Sequence, residues 1–101
     1  MTREDFNEII ELPLEFIGRG SAKGFTFKQV YHKDGWYAYQ VNDNWYEVFK
    51  ETIKRKMSVV DGKFIHSKEI GYVAYPSDSD FGKWAWNVVS MKDVLDTIEE
   101  K

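Results

Sequence analysis

Apolar residues change their spacing twice along the chain, and each change marks an element. Phe6, Ile9 and Ile10 stand at i, i+3 and i+4, and Thr2 with Asp5 has the spacing of a capping box, so residues 2–11 read as a short N-terminal helix. Pro13 disfavours helical backbone at Leu12 and should end it. Two turns are marginal alone, so this helix needs its apolar face docked. Residues 14–17 alternate loosely and read as a first strand, broken by Gly18, Gly20 and Ser21. Residues 24–32 then alternate with period two, placing Phe25, Phe27 and Tyr31 on one face and Thr26, Lys28 and Val30 on the other.

Asp34-Gly35 is a hairpin signal, because a type I′ turn needs positive φ at both central residues. It sets Lys33 opposite Trp36, Tyr31 opposite Ala38 and Val30 opposite Tyr39, and makes residues 36–41 the third strand. Asn42-Asp43-Asn44 supplies the next turn; loops of two or three residues both fit, and a one-residue slip exchanges the faces of the next strand. A fourth strand starts at Trp45, with no breaker before Val60. Asp61-Gly62 folds the chain back, pairing Val59 with Phe64, Met57 with His66, Lys54 with Glu69 and Ile53 with Ile70. That register gathers Ile53, Met57, Val59, Phe64 and Ile70 on one face. Thr52, Lys54, Lys56, Lys63, Ser67 and Glu69 take the other. The fifth strand ends at Tyr75-Pro76, and residues 84–89 form a sixth. Ser90 with Asp93 repeats the capping-box spacing and opens a final helix with Met91, Val94, Leu95 and Ile98 at i, i+3, i+4 and i+7.

The expected fold class is therefore α+β: a short N-terminal helix, a six-stranded antiparallel meander and a C-terminal helix packed on one sheet face through Val94, Leu95 and Ile98. At 101 residues the chain suits a single domain spanning 1–101. Four Trp, six Tyr and seven Phe give so short a chain large areas to bury. The hairpin at Asp34-Gly35 sorts these rings: Phe25, Phe27, Tyr31 and Trp36 on one face, Tyr37 and Tyr39 on the other. One face must be core. The second is either covered by the N-terminal helix or an exposed patch for a partner, and Tyr37, Tyr39 and Trp45 are the candidate contact residues.

Charge and chemistry narrow the picture further. The chain lacks cysteine, which excludes disulfides and thiolate metal sites and fits a reducing compartment. No apolar run follows the charged N-terminal residues, so the chain is expected in the cytoplasm, without membrane contact. A net charge of −3 disfavours wholesale coating of nucleic acid. Charge is uneven, however. Lys54, Arg55, Lys56, Lys63 and Lys68 cluster around the 50–68 hairpin; solvated lysines commonly protect an exposed hairpin edge, and β-ribbons can also enter a major groove or track phosphates.

His32 and His66 have no partner at metal-ligand spacing, and Asp78 with Asp80 falls short of a calcium loop, so no metal and no cofactor is expected. The serines lack a nucleophile-elbow setting, and Ser90 reads as a cap. The glycine-rich stretch from Gly18 to Gly24 is neither a dinucleotide fingerprint nor a phosphate loop, and a strand follows it rather than a helix.

Glu47-Val48-Phe49, Tyr75-Pro76 and Phe81-Gly82-Lys83-Trp84-Ala85-Trp86, followed by a short helix, together resemble small uncharacterised bacterial proteins of plasmids, phages and conjugative elements, over residues 12–98. The resemblance implies no activity. Products of mobile elements often bind a host protein or nucleic acid, so it favours binding over catalysis. Three readings are open. The first is a non-catalytic interaction module binding a protein, or a second copy of itself, through aromatic sheet surface or a sheet edge. The second is nucleic-acid contact through Lys54, Arg55, Lys56 and Lys63. The third is a small-molecule enzyme without a recognisable motif, which needs a deep pocket with converging polar groups.

Overall fold

The computed structural model describes residues 1–18 and 23–101. Most of the Gly18 to Gly24 stretch thus lies outside the described residues. In chain order the elements are a 3-10 turn (Arg3–Asp5), β1 (Glu8–Ile10), β2 (Glu15–Ile17), β3 (Thr26–Lys33), β4 (Trp36–Val41), β5 (Trp45–Lys50), β6 (Ile53–Val60), β7 (Lys63–Val73), a second 3-10 turn (Asp78–Asp80), β8 (Ala85–Val88) and α1 (Met91–Glu100). The class is α+β. The expected single meander is instead two sheets, and the chain divides into two compact units: residues 1–12 with 51–75, and residues 13–50 with 76–101.

The second of these units is an antiparallel sheet in the order β2-β3-β4-β5-β8, with α1 on one face. Its organising turn is as expected. Asp34 and Gly35 both take positive φ, 53° and 80°, and Lys33 faces Trp36 and Tyr31 faces Ala38. Beyond that the register departs from expectation. A bulge at Val30 sets Gln29, not Val30, opposite Tyr39. One extra residue reverses the parity of a strand. Phe27 therefore shares a face with Tyr37 and Tyr39, which corrects its expected place beside Tyr31 and Trp36, while Tyr31 stays with Trp36 and Ala38 as expected. The loop after β4 has three residues, since Val41 pairs with Trp45, and Asn42 and Asp43 both sit in the left-handed region. Asn42 Oδ1 accepts from the Thr26 amide at 2.7 Å, tying this loop to the start of β3.

On the helix face, Ala38, Val48 and Val94 are fully buried, ringed by Tyr31, Trp36, Tyr46, Trp86, Val88, Met91 and Ile98. Ser90 caps α1 by accepting from the Asp93 amide at 3.1 Å. Leu95, expected in this contact, is half exposed: the seam runs along Met91, Val94 and Ile98, and Leu95 lies a step of about 100° round the helix from Val94. On the opposite face, Phe49 stacks between Tyr37 and Tyr39 with ring centroids 5.5 and 6.0 Å away, and Phe16 stacks on Phe27 at 4.6 Å. The Tyr39 hydroxyl donates to the Pro13 carbonyl at 2.6 Å and accepts from Gln29 Nε2 at 3.0 Å. Burial pushes the Tyr39 phenol above its ordinary range, against the opposing effect of Gln29.

The other unit is a three-stranded sheet in the order β1-β7-β6, with β1 parallel to β7. The expected N-terminal helix is absent: only Arg3–Asp5 turns, with Asp5 Oδ2 accepting from the Thr2 amide at 2.8 Å, and Glu8–Ile10 is strand. Paired β-branched Ile9 and Ile10 suit an extended edge better than a two-turn helix. Phe6 is buried, with its ring over Gly71; a Cβ there would lie 2.7 Å from Phe6 Cδ2, so only glycine permits the approach. Arg3 bridges Glu51 and Glu11, with Nη2 2.6 Å from Glu51 Oε1. These carboxylates, Glu51 foremost, raise the guanidinium above its already high range.

β5 and β6 are not one strand. Lys50 N donates to Trp84 O at 3.0 Å, whereas Thr52 O accepts from Ala74 N at 2.9 Å, so the backbone changes partners across Glu51. In the β6–β7 hairpin the expected pairs Val59–Phe64 and Met57–His66 are present, whereas Lys54 faces Tyr72 and Ile53 faces Val73. Between Arg55 and Met57 the chain advances two positions on β6 against five on β7. Ser67 stabilises this bulge: its Oγ accepts from the amides of Glu69 and Ile70 at 3.2 and 3.0 Å, giving partners to donors the ladder leaves out.

Candidate functional site

The outer half of the β6–β7 hairpin begins with sequence chemistry. Val59, Val60, Phe64 and Ile65 are strong strand formers, and Asp61-Gly62 takes positive φ at both positions, 51° and 75°, the geometry that closes a tight hairpin. The register puts Met57, Val59, Phe64 and His66 on one face and Ser58, Val60, Lys63 and Ile65 on the other. Every residue from 56 to 66 is exposed. Five of these are large and apolar, led by Phe64 at 67% and Val59 at 65%. A two-stranded ribbon is marginal in water by itself. Side chains of this kind exposed on both faces give up little water in the free chain, so their contribution to folding is small.

Cations flank this apolar tip. Residues 53–68 hold five cations and one carboxylate, a net +4, which leaves −7 for the rest of a chain of net charge −3. Lys54, Lys56, Lys63 and Lys68 are exposed. Arg55, named beside them from sequence, is half buried: its Nη1 donates to the Ser67 carbonyl at 3.2 Å and its guanidinium lies 5.1 Å from the Phe6 ring centroid. Lys63 faces Val60, four residues beyond Lys56, which places the two about 13 Å apart along the ribbon. An open groove of about 310 Å³ runs along the base of the ribbon, lined by Met1, Lys54, Arg55, Met57, His66 and Tyr72.

The aromatic candidates fall elsewhere. Tyr37 and Tyr39 are enclosed, 1% and 0% exposed, on the face where Phe49 stacks between them and to which the bulge at Val30 brings Phe27. They offer no surface to a partner, so of the two alternatives, a covered face or an exposed patch, these two tyrosines lie on a covered one. Trp45 is half buried, edge-on to Phe25 at 5.6 Å. The apolar surface that sequence reasoning assigned to this sheet lies in the hairpin instead. The signal was present in the grouping of Met57, Val59 and Phe64 on one face about a tight turn, but that grouping does not tell whether the face is covered.

Among the described residues no group of three or more His, Asp or Glu side chains gathers as a metal site would require. Ser77, Asp78 and Asp80 form a capped turn, in which Asp80 Oδ2 accepts from the Ser77 amide at 2.8 Å. No described helix is long and apolar enough to cross a membrane. No protein-family model matches the chain, and neither the curated proteins nor the solved structures contain a match to it.

Proposed function

We propose that this chain is a non-catalytic interaction module that binds a protein partner through the exposed β6–β7 hairpin. The observation that carries the reading is the unbroken exposure of residues 56–66 with Met57, Val59, Val60, Phe64 and Ile65 among them. A partner that covers these side chains gains apolar burial that folding leaves unused, and aromatic residues, Phe among them, and Met are enriched at the cores of protein interfaces. The resemblance to mobile-element proteins points the same way. The test is affinity capture from the native host with wild type and with the double variant Val59→Ser, Phe64→Ser, each checked for an unchanged urea midpoint. The expected result is a partner held by wild type and lost by the variant. Equal retention by both, or self-association as the sole product, contradicts it.

The second reading is nucleic-acid contact, favoured by the exposure of Lys54, Lys56 and Lys63. It requires binding to DNA or RNA that weakens steeply with salt, about threefold or more for each doubling of salt if two or more phosphates are neutralised. Spaced lysines without exposed Arg55, on a chain otherwise at −7, give it less support than the apolar tip gives the first.

A further inference from the structure

A sheet edge is a row of backbone donors and acceptors ready to pair with another chain, and proteins blunt such edges by keeping them short or by placing lysines on them, which repel a cationic strand but not an acidic one. Three of the four outer strands here are short: β1 and β2 have three residues each and β8 has four. β6 has eight, and among the described residues no strand lies on its outer side. It is also the strand that carries Lys54, Lys56, Met57, Val59 and Val60.

We infer that the outer edge of β6 receives an extended, acidic segment of a partner protein as an added strand. This rests on the contact reading above and gives it a geometry. Backbone pairing along β6 would supply the directional bonds, while side chains on alternate positions of the added strand select for sequence. Cations at Lys54 and Lys56, and the groove lined by Met1, Lys54, Arg55, Met57, His66 and Tyr72, call for carboxylates interleaved with apolar side chains. A second copy of this chain is a poorer occupant, because it brings the same Lys54-Arg55-Lys56 run to a cationic edge. Nucleic acid is poorer too: phosphate oxygens accept from amides but offer nothing to the outward carbonyls, and they leave Val59 and Phe64 in water.

The probe is an acetylated, amidated octapeptide of alternating Glu and Val, titrated into the full 101-residue chain and followed by amide NMR shifts and hydrogen exchange over residues 53–60. Binding should slow exchange of alternate β6 amides about tenfold or more. Two N-methylated versions separate strand addition from charge attraction. One carries methyl groups on the Glu amides and the other on the Val amides, and only one parity of an added strand bonds to the edge. One version should therefore lose about tenfold or more in affinity, while the other binds as the parent does. Lys54→Glu with Lys56→Glu should weaken the Glu-Val peptide and favour a Lys-Val one. Equal binding by both methylated peptides, unchanged β6 exchange at saturation, or tighter binding of single-stranded or duplex DNA than of the peptide would overturn the inference. If the Val59→Ser, Phe64→Ser variant still loses its captured partner in those cases, the contact reading stands and only the strand geometry is wrong.

Discussion

The five-stranded sheet and the outer β6–β7 hairpin are made from the same kinds of residue and use them in opposite ways. In the sheet, β4 and β5 enclose Tyr37, Tyr39, Phe49, Val41 and Val48 almost completely, and the Tyr39 hydroxyl has partners in Pro13 and Gln29. In the hairpin, Val59, Val60, Phe64 and Ile65 form an equally regular ladder and bury little. The β3–β4 hairpin of the sheet and the β6–β7 hairpin are each closed by an Asp-Gly turn with the same backbone signs. Local geometry is therefore the same in the two regions, and what differs is whether a second layer lies against the strands. Stability follows layers rather than hairpins.

The sharpest way to break this comparison is to truncate one ring in each region. Phe49→Ala removes a fully buried side chain stacked between two tyrosines and should cost about 3–5 kcal/mol in urea unfolding. Phe64→Ala should change stability by about 0.5 kcal/mol or less. Comparable losses from the two would mean the hairpin is packed after all.

Gly71→Ala probes the inner half of the hairpin unit. A methyl 2.7 Å from the Phe6 ring must displace it, at about 1–3 kcal/mol, and adding Phe6→Leu should recover part of the loss. If the substitution is neutral, Phe6 is not seated on β7.

Tyr39→Phe sharpens the other side. Its loss of two hydrogen bonds inside the sheet unit should cost about 1–3 kcal/mol near neutral pH. The alkaline limb carries a second signature. Folding raises this phenol above 10.0, so the stability it contributes is fully present below that pH and is lost as pH climbs through the higher folded value. The wild type should therefore lose stability in strong alkali, and the Phe variant should show a shallower decline.

Ser67→Ala should cost about 1 kcal/mol, because the bulge amides of Glu69 and Ile70 lose one shared acceptor while remaining near solvent. Faster exchange confined to those two amides would support the assignment. Global destabilisation of several kcal/mol would contradict it.

The tight turns were legible because their backbone signs are written in single dipeptides: Asp34-Gly35 and Asp61-Gly62 fixed the nearest pairs on each hairpin. The final helix was legible from Ser90 and the spacing of Met91, Val94 and Ile98. Bulges were not legible. Val30 and the Ser67 region carry ordinary strand residues, yet each shifts everything beyond it, and the first alone moved Phe27 to the other face. The N-terminal segment misled because Phe6, Ile9 and Ile10 fit a helical stripe, while the parallel partner that makes residues 8–10 a strand lies some sixty residues on. Of the candidate site, the basic character of the hairpin was visible. Its exposed apolar tip was not, since periodicity tells which residues share a face but not whether anything covers that face.

Hydrogen exchange of the free chain tests the central claim most directly. Amides of residues 57–65 should exchange by local opening, about a hundredfold or more faster than those of residues 37–41 and 46–49, which should open only with global unfolding. Equal protection across both sets would mean that a second layer already covers the hairpin, leaving no surface there for a partner to take.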